Sequence, residues 1–207
     1  MHSDAIDQLI GSYLKQPVRV GWEGGTADTL RGSFDSPSIE FAGLATAWLP
    51  LERVVVKAAH ASLVPGVPAR LEVEGSEVEI TLGQAELDKW LSRFELPFRL
   101  ALGAKGMTLH TEIAGFPIGE LEARLEVVGG WFVLSPRRAS ILGVPGYVSS
   151  LFRTYLPVPP LSRDTRLIDV GHRQGELRLS FEVGDLVEDI TPGLVARLQR
   201  RLLPFGR

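Results

Sequence analysis

The sequence predicts an α+β fold of antiparallel sheet with helices, spanning 1–207 as a single domain. Three observations carry this expectation. Between Leu96 and Ile141, successive segments alternate apolar and polar residues with period two, the pattern of strands with one wet face. Short stretches of helical periodicity separate these runs of strands. The connections inside the runs are too short for the crossovers that a repeated βαβ sheet needs.

The first element is expected to be a helix from about Asp4 to Lys15, with Ile6, Leu9, Ile10, Tyr13 and Leu14 on one face. Pro17 ends it, and Val18-Arg19-Val20 begins an extended segment. Leu30 to Phe34 and Ile39 to Phe41 read as short strands around a Ser-Pro-Ser turn, and a longer strand should cover about Leu51 to Leu63. After Pro65-Gly66 and Pro68, two alternating segments flank Gly75-Ser76. Leu71 and Val73 in one, and Val78, Ile80 and Leu82 in the other, suggest a hairpin with Glu72, Glu74, Glu77 and Glu79 outside. Thr81 and Gln84 fit a capping box for a helix whose apolar side is Leu87, Trp90, Leu91 and Phe94.

The meander comes next. It turns at Gly103-Ala104-Lys105-Gly106 and includes a fourth strand from Trp131 to Leu134 that extends toward Ile141. Pro145-Gly146 then introduces a helix-like run carrying Val148, Leu151, Phe152 and Tyr155, closed by Pro157, Pro159 and Pro160. Strands follow at Arg166 to Val170 and Leu177 to Val183. Thr191-Pro192 opens a last helix with Val195, Leu198 and Leu202 inward.

A chain of 207 residues can bury a substantial core, and its 44% apolar content with 23% charged residues fits a globular protein. The net charge of -3 gives no general attraction to nucleic acid, and no aromatic-basic platform resembles a known nucleic-acid module. With no cysteine, disulfides, thiol nucleophiles and thiolate metal sites are excluded, while the compartment stays open. The first seven residues lack the basic region and apolar run of a secretory signal. Cell envelope or periplasm is expected if a signal was removed, and a cytoplasmic or peripheral membrane location otherwise.

Chemistry-bearing patterns are scarce. His2, His60, His110 and His172 show no metal-ligand spacing, and no nucleophile elbow or glycine-rich phosphate or dinucleotide loop is present. The paired carboxylates read as a soluble sheet face. A Ser-His-Asp set assembled only by folding stays open. The expectation is a protein that is not an enzyme and takes no cofactor or metal. Basic residues cluster at Arg137 and Arg138, at Arg153, Arg163 and Arg166, and at Arg197, Arg200, Arg201 and Arg207. They suit either a solvated surface or the rim of an opening that meets anionic headgroups.

What covers the apolar sheet face is therefore the functional question. Acyl chains can be held by burial alone, at about 0.8 kcal/mol per methylene. Large hydrophobes at the helix–sheet junctions are candidates to line such a groove: Leu9, Tyr13, Trp90, Phe94, Phe98, Leu100, Met107, Phe116, Phe132, Phe152 and Tyr155. Ordinary core packing uses the same residues.

The opening helix followed by Pro17-Val18, Leu30-Arg31-Gly32-Ser33-Phe34 and Val54-Val55-Val56, then Glu77-Val78-Glu79-Ile80-Thr81 leading into Gln84-Ala85-Glu86-Leu87 and the meander, resembles the LmeA-like phospholipid-binding family. That resemblance implies a tubular lipid-binding fold, in which a long, strongly curved antiparallel sheet wraps around one or more helices. It also implies lipid transport or sequestration in a hydrophobic cavity, with a phospholipid or fatty-acyl ligand and peripheral membrane contact. Arg137, Arg138, Arg153 and Arg163 would then stand at the headgroup rim. A solid-cored adaptor or membrane-surface protein without an internal ligand is the alternative expectation. The oligomeric state is not legible.

Overall fold

The computed structural model describes residues 4, 7, 8, 11, 12, 17–45, 50–94, 96, 98–113, 116–129, 131–142, 144–146, 153–157, 164–191, 193, 194 and 197. Two compact units divide the chain, one made of Met1–Ile80, Pro160–Arg166 and Phe181–Arg207, the other of Thr81–Pro159 and Leu167–Ser180.

The opening elements follow the sequence pattern closely. Residues 4, 7, 8, 11 and 12 are helical, and strand β1 (Val18–Glu23) follows Pro17. Asp7 reaches from the helix to β1, its Oδ1 accepting the Val20 N–H at 2.7 Å. A short helix α1 (Thr26–Leu30), whose Gly25 N–H donates to Asp28 Oδ2, was not legible in advance. Strand β2 (Ser33–Ala45) is one continuous element of 13 residues where two short strands were expected. The chain passes Ser36 with φ 45 and absorbs the irregularity as a shift in the β1 register.

The long strand expected at 51–63 is present as two pieces, β3 (Pro50–Lys57) and β4 (His60–Val64), both antiparallel to β2. The supposed hairpin at Gly75-Ser76 is not one. Strands β5 (Arg70–Glu74) and β6 (Ser76–Gly83) meet at Gly75, which has φ 60, but β5 pairs with β4 and β6 lies beside β3. The real hairpin is β4–β5, turned at the Pro65–Pro68 segment. The core of this unit is aliphatic and closely filled: Val54, Val78, Ile80 and Phe181 are essentially sealed from solvent, with Trp22 meeting Phe34 edge-on at 6.1 Å.

Helix α2 (Gln84–Leu91) follows β6 with Leu87 buried. Its N-cap is Gly83, so the expected Thr81–Gln84 capping box does not form. The Thr81 hydroxyl is buried without a hydrogen-bond partner, and Gln84 is used elsewhere. The meander itself is as expected: β7 (Phe98–Gly103), β8 (Gly106–Ile113), β9 (Phe116–Val128) and β10 (Trp131–Ile141) pair antiparallel in sequence order. Gly103 and Gly106 close the β7–β8 turn. A Cβ on Gly106, which has φ 155, would lie 2.4 Å from the Ala123 carbonyl oxygen, so only glycine fits there.

Both edges of the meander are protected. On β7, the Gln84 side chain imitates a neighbouring strand: its Nε2 donates to Leu100 O at 2.8 Å, and its Oε1 accepts the Leu102 N–H at 2.7 Å. Gly175 N–H donates to Leu102 O, and Gln84 N–H returns to Gly175 O. On β10, strands β11 (Val144–Gly146) and β12 (Thr154–Pro157) pair with residues 139–141 and 131–134. The gap between them holds Pro136, which has no N–H, and a register shift before Arg138. Tyr155 thus lies in a strand, where a helix-like run was expected. Residues 147–152, including Phe152, lie outside the described residues.

Strands β13 (Thr165–Arg173) and β14 (Glu176–Val183) match expectation, while β15 (Leu186–Asp189), paired with β5, was missed. Of the last helix, residues 194 and 197 are helical.

The strand orders are β13-β14-β6-β3-β2-β4-β5-β15, with β1 on β2, and β11-β10-β9-β8-β7, with β12 on β10. Neither sheet closes on itself or curls strongly. This corrects the expected tubular fold: the chain forms two mostly antiparallel sheets, and no curved sheet wraps around a helix.

Candidate functional site

The residues proposed to line a lipid groove do not converge. Leu9, Tyr13, Phe152 and Arg163 lie outside the described residues. Trp90 is half-buried and packs edge-on against Phe94 at 5.2 Å, leaving Phe94 49% exposed. Phe98, Leu100, Met107 and Phe132 are half-buried members of β7, β8 and β10. Phe116 is 72% exposed at the start of β9, and Tyr155 is 56% exposed on β12. Arg137, Arg138 and Arg153 are exposed. No apolar tunnel or groove is present among the described residues. Lipid carriage, the hydrophobic cavity and the phospholipid or fatty-acyl partner are therefore corrected.

The histidines were set aside as isolated, and folding gives two of them partners. His60 Nδ1 lies 2.9 Å from Asp35 Oδ1, directly across the β2–β4 register. That is the Asp–His half of a hydrolytic triad. Register puts Ser62 two residues along β4, opposite Ser33, yet neither hydroxyl hydrogen-bonds to the imidazole among the described residues. The pair lies open on the sheet face. His172 Nε2 is 2.9 Å from the Leu125 carbonyl oxygen, a packing role on β13. Among the described residues, no three His, Asp or Glu side chains are placed to hold a metal.

The sharper feature is on the wet face of β1, β2, β3 and β6. A depression of about 360 Å³ is lined by Arg19, Val20, Gly21, Ser38, Glu40, Arg53, Val55, Lys57 and Glu79. Pairing builds it in rows: Arg19 stands opposite Glu40, which stands opposite Val55, and the next row is Gly21, Ser38 and Lys57. Gly21 and Ser38 are small, so the second row forms a low floor between long charged side chains.

The ionic pairing in this depression is uneven. Arg53 lies between two carboxylates, 3.7 Å from Glu40 and 3.6 Å from Glu79. Glu40 thus pairs with Arg53 of β3, although Arg19 is its cross-strand neighbour on β1. Among the described residues, neither Arg19 nor Lys57 has an ion-pair partner. Three cations and two carboxylates line the depression, and the two cations left over flank its small-residue floor. The Ser38 hydroxyl donates to Gly21 O at 3.5 Å, a long bond that a better acceptor can displace.

A second depression, of about 530 Å³, lies between Arg70, Val187, Glu188, Asp189, Thr191 and Arg197. Its charges are satisfied internally: Arg197 donates to Glu188 at 2.8 Å and to Asp189 O at 2.7 Å, and Arg70 is 3.6 Å from Asp189.

Sequence reasoning had assigned the Glu77/Glu79 side of β6 to solvent and passed over Arg19, Ser38, Glu40, Arg53 and Lys57. The spacing Arg53, Val55, Lys57 does place both cations on one face of a strand, but only the strand order brings Arg19 beside them.

Fold and site together define a protein of two open, mostly antiparallel sheets with a charged surface depression. Neither protein-family models nor characterised proteins nor solved structures match this chain. With the open sheets, this overturns the resemblance to the LmeA-like family and its tubular fold.

Proposed function

We propose that this chain is a binding protein for a small anionic ligand, not an enzyme, and that the ligand is held at the depression on the wet face of β1, β2, β3 and β6. The observation that carries this reading is the pair of unmatched cations, Arg19 and Lys57, beside an arginine already neutralised by Glu40 and Glu79. Guanidinium and ammonium groups without a carboxylate partner favour ionised oxygen acceptors, and charge-assisted bonds of this kind are roughly twice as strong as neutral ones. The two carboxylates at the site are both engaged by Arg53. They serve as an electrostatic frame, and neither is left over to act as a general base.

The test is an amide NMR titration with inorganic phosphate, acetate and citrate at low ionic strength, where screening is weakest. Saturable shifts confined to residues 19–21, 38–40 and 53–57 are expected with at least one of the three anions. If all three leave those amides unmoved, or give only unsaturable drift across the whole surface, the reading is wrong.

A further inference from the structure

We infer that the depression recognises a single compact anionic head group, a phosphate or a carboxylate, seated over Gly21 and Ser38 and clamped by Arg19 and Lys57 together. This rests on the anion-binding reading above and specifies it. Arg19 and Lys57 lie on β1 and β3, two strands apart and one side-chain row apart, with Ser38 of β2 between them. Sheet spacing puts their Cα atoms on the order of 12 Å apart. Each side chain extends on the order of 6 Å from its Cα, so the two charged ends can meet over the intervening row. That row offers Gly21, which has no side chain, and Ser38, whose hydroxyl is only weakly engaged.

The surroundings limit the size of the head group. Glu40 borders the floor on one side, and its carboxylate repels a second negative group extended toward Arg53. Val55 is buried and offers no donor. Three donors within reach of one point, between an acidic wall and an apolar wall, suit one tetrahedral or planar oxyanion, whereas a chain of separated charges would meet Glu40. The body of the ligand then projects into solvent, away from the sheet.

A double-mutant cycle on the full chain tests this, with inorganic phosphate and acetate as probes and affinity read by NMR titration. Arg19→Gln and Lys57→Gln should each weaken binding of the preferred probe by about tenfold or more. The double variant should lose little beyond either single change, because both cations hold the same anion and each is poor alone. Ser38→Ala should weaken binding by a smaller factor, and tripolyphosphate should bind no more tightly than phosphate. Losses that multiply in the double variant would mean that the two cations act independently, and a strong preference for tripolyphosphate would mean separate anionic subsites; either result overturns the single-head-group clamp while leaving anion binding intact. Loss of no affinity in either single variant would also overturn it. Failure of every anion to bind the unaltered chain is a different result, and it removes the parent reading. Because Arg19 and Lys57 line an open surface, unchanged thermal unfolding in both variants verifies that folding is not the cause.

Discussion

The strip formed by β1, β2 and β3 and the meander from β7 to β10 are both antiparallel strands with charged residues on a wet face, yet they treat their surfaces differently. In the strip, the apolar residues Val18, Trp22, Leu51 and Val54 are buried, and the opposite face gathers charge into a depression with two cations left over. In the meander, Leu102, Ala123, Leu125 and Val133 are buried, but large hydrophobes come out at the ends of the strands, as at Phe116, Val128, Trp131 and Ile141. Its wet face pairs charges along one strand, as with Arg124 and Glu126 at 3.4 Å. Alternation fixes which side of a strand is wet. It does not fix whether the charges on that side cancel, which depends on the strands that become neighbours.

Substitutions can break this comparison or sharpen it. The largest effect should come from truncating matched aromatics. Phe181 is 1% exposed and lies in the core of the unit containing the strip, so Phe181→Ala should cost about 3–5 kcal/mol in urea unfolding. Phe116→Ala at the meander tip should cost no more than about 0.5 kcal/mol. Equal costs would mean that Phe116 is covered in solution, and the contrast would fail. Next comes Gln84→Ala, which removes two bonds to the β7 edge and should lower stability by about 2 kcal/mol. A loss under half of that would show that water replaces the side chain there.

A smaller change of opposite sign is expected at Leu142, a bulky exposed residue with φ 51 at the end of β10. Leu142→Gly should raise the unfolding free energy by about 1 kcal/mol, because a left-handed backbone is costly for a residue with a Cβ. A drop instead would show that the leucine makes contacts that outweigh the strain. The smallest effect on stability belongs to Arg53→Met. Its ion pairs are partly exposed, so the cost should stay within about 1 kcal/mol, but Glu40 becomes free to pair with Arg19 and phosphate affinity should fall. Unchanged affinity would separate Arg53 from the site.

The legible part of the fold was its local part. The meander's four strands, the Gly103–Gly106 turn, β13, β14 and the helix around Leu87 follow from period and punctuation, because each depends on residues close in sequence. The misreadings were non-local. Gly75 looks like a hairpin turn, but β5 and β6 go to different neighbours, a choice made by β4 and β3. Strand β15 is four residues long and its pattern is too short to stand out. The aromatics assigned to a lipid groove have the right character for one, yet Phe94, Phe116 and Tyr155 lie in α2-flanking, β9 and β12 positions that never share a cavity among the described residues. The binding depression was invisible for the same reason: Arg19 is 34 positions before Arg53, and nothing in either segment names the other.

Gln84 and the Gly175 backbone close the β7 edge where a strand would normally be needed. An unpaired strand edge is a template for another chain, and β7 carries Phe98, Leu100 and Leu102, a sequence suited to intermolecular pairing. The Gln84 amide and the Gly175 backbone together therefore stand between this meander and edge-to-edge association. The glutamine that steadies β7 in the fold also occupies groups that another chain would otherwise pair with.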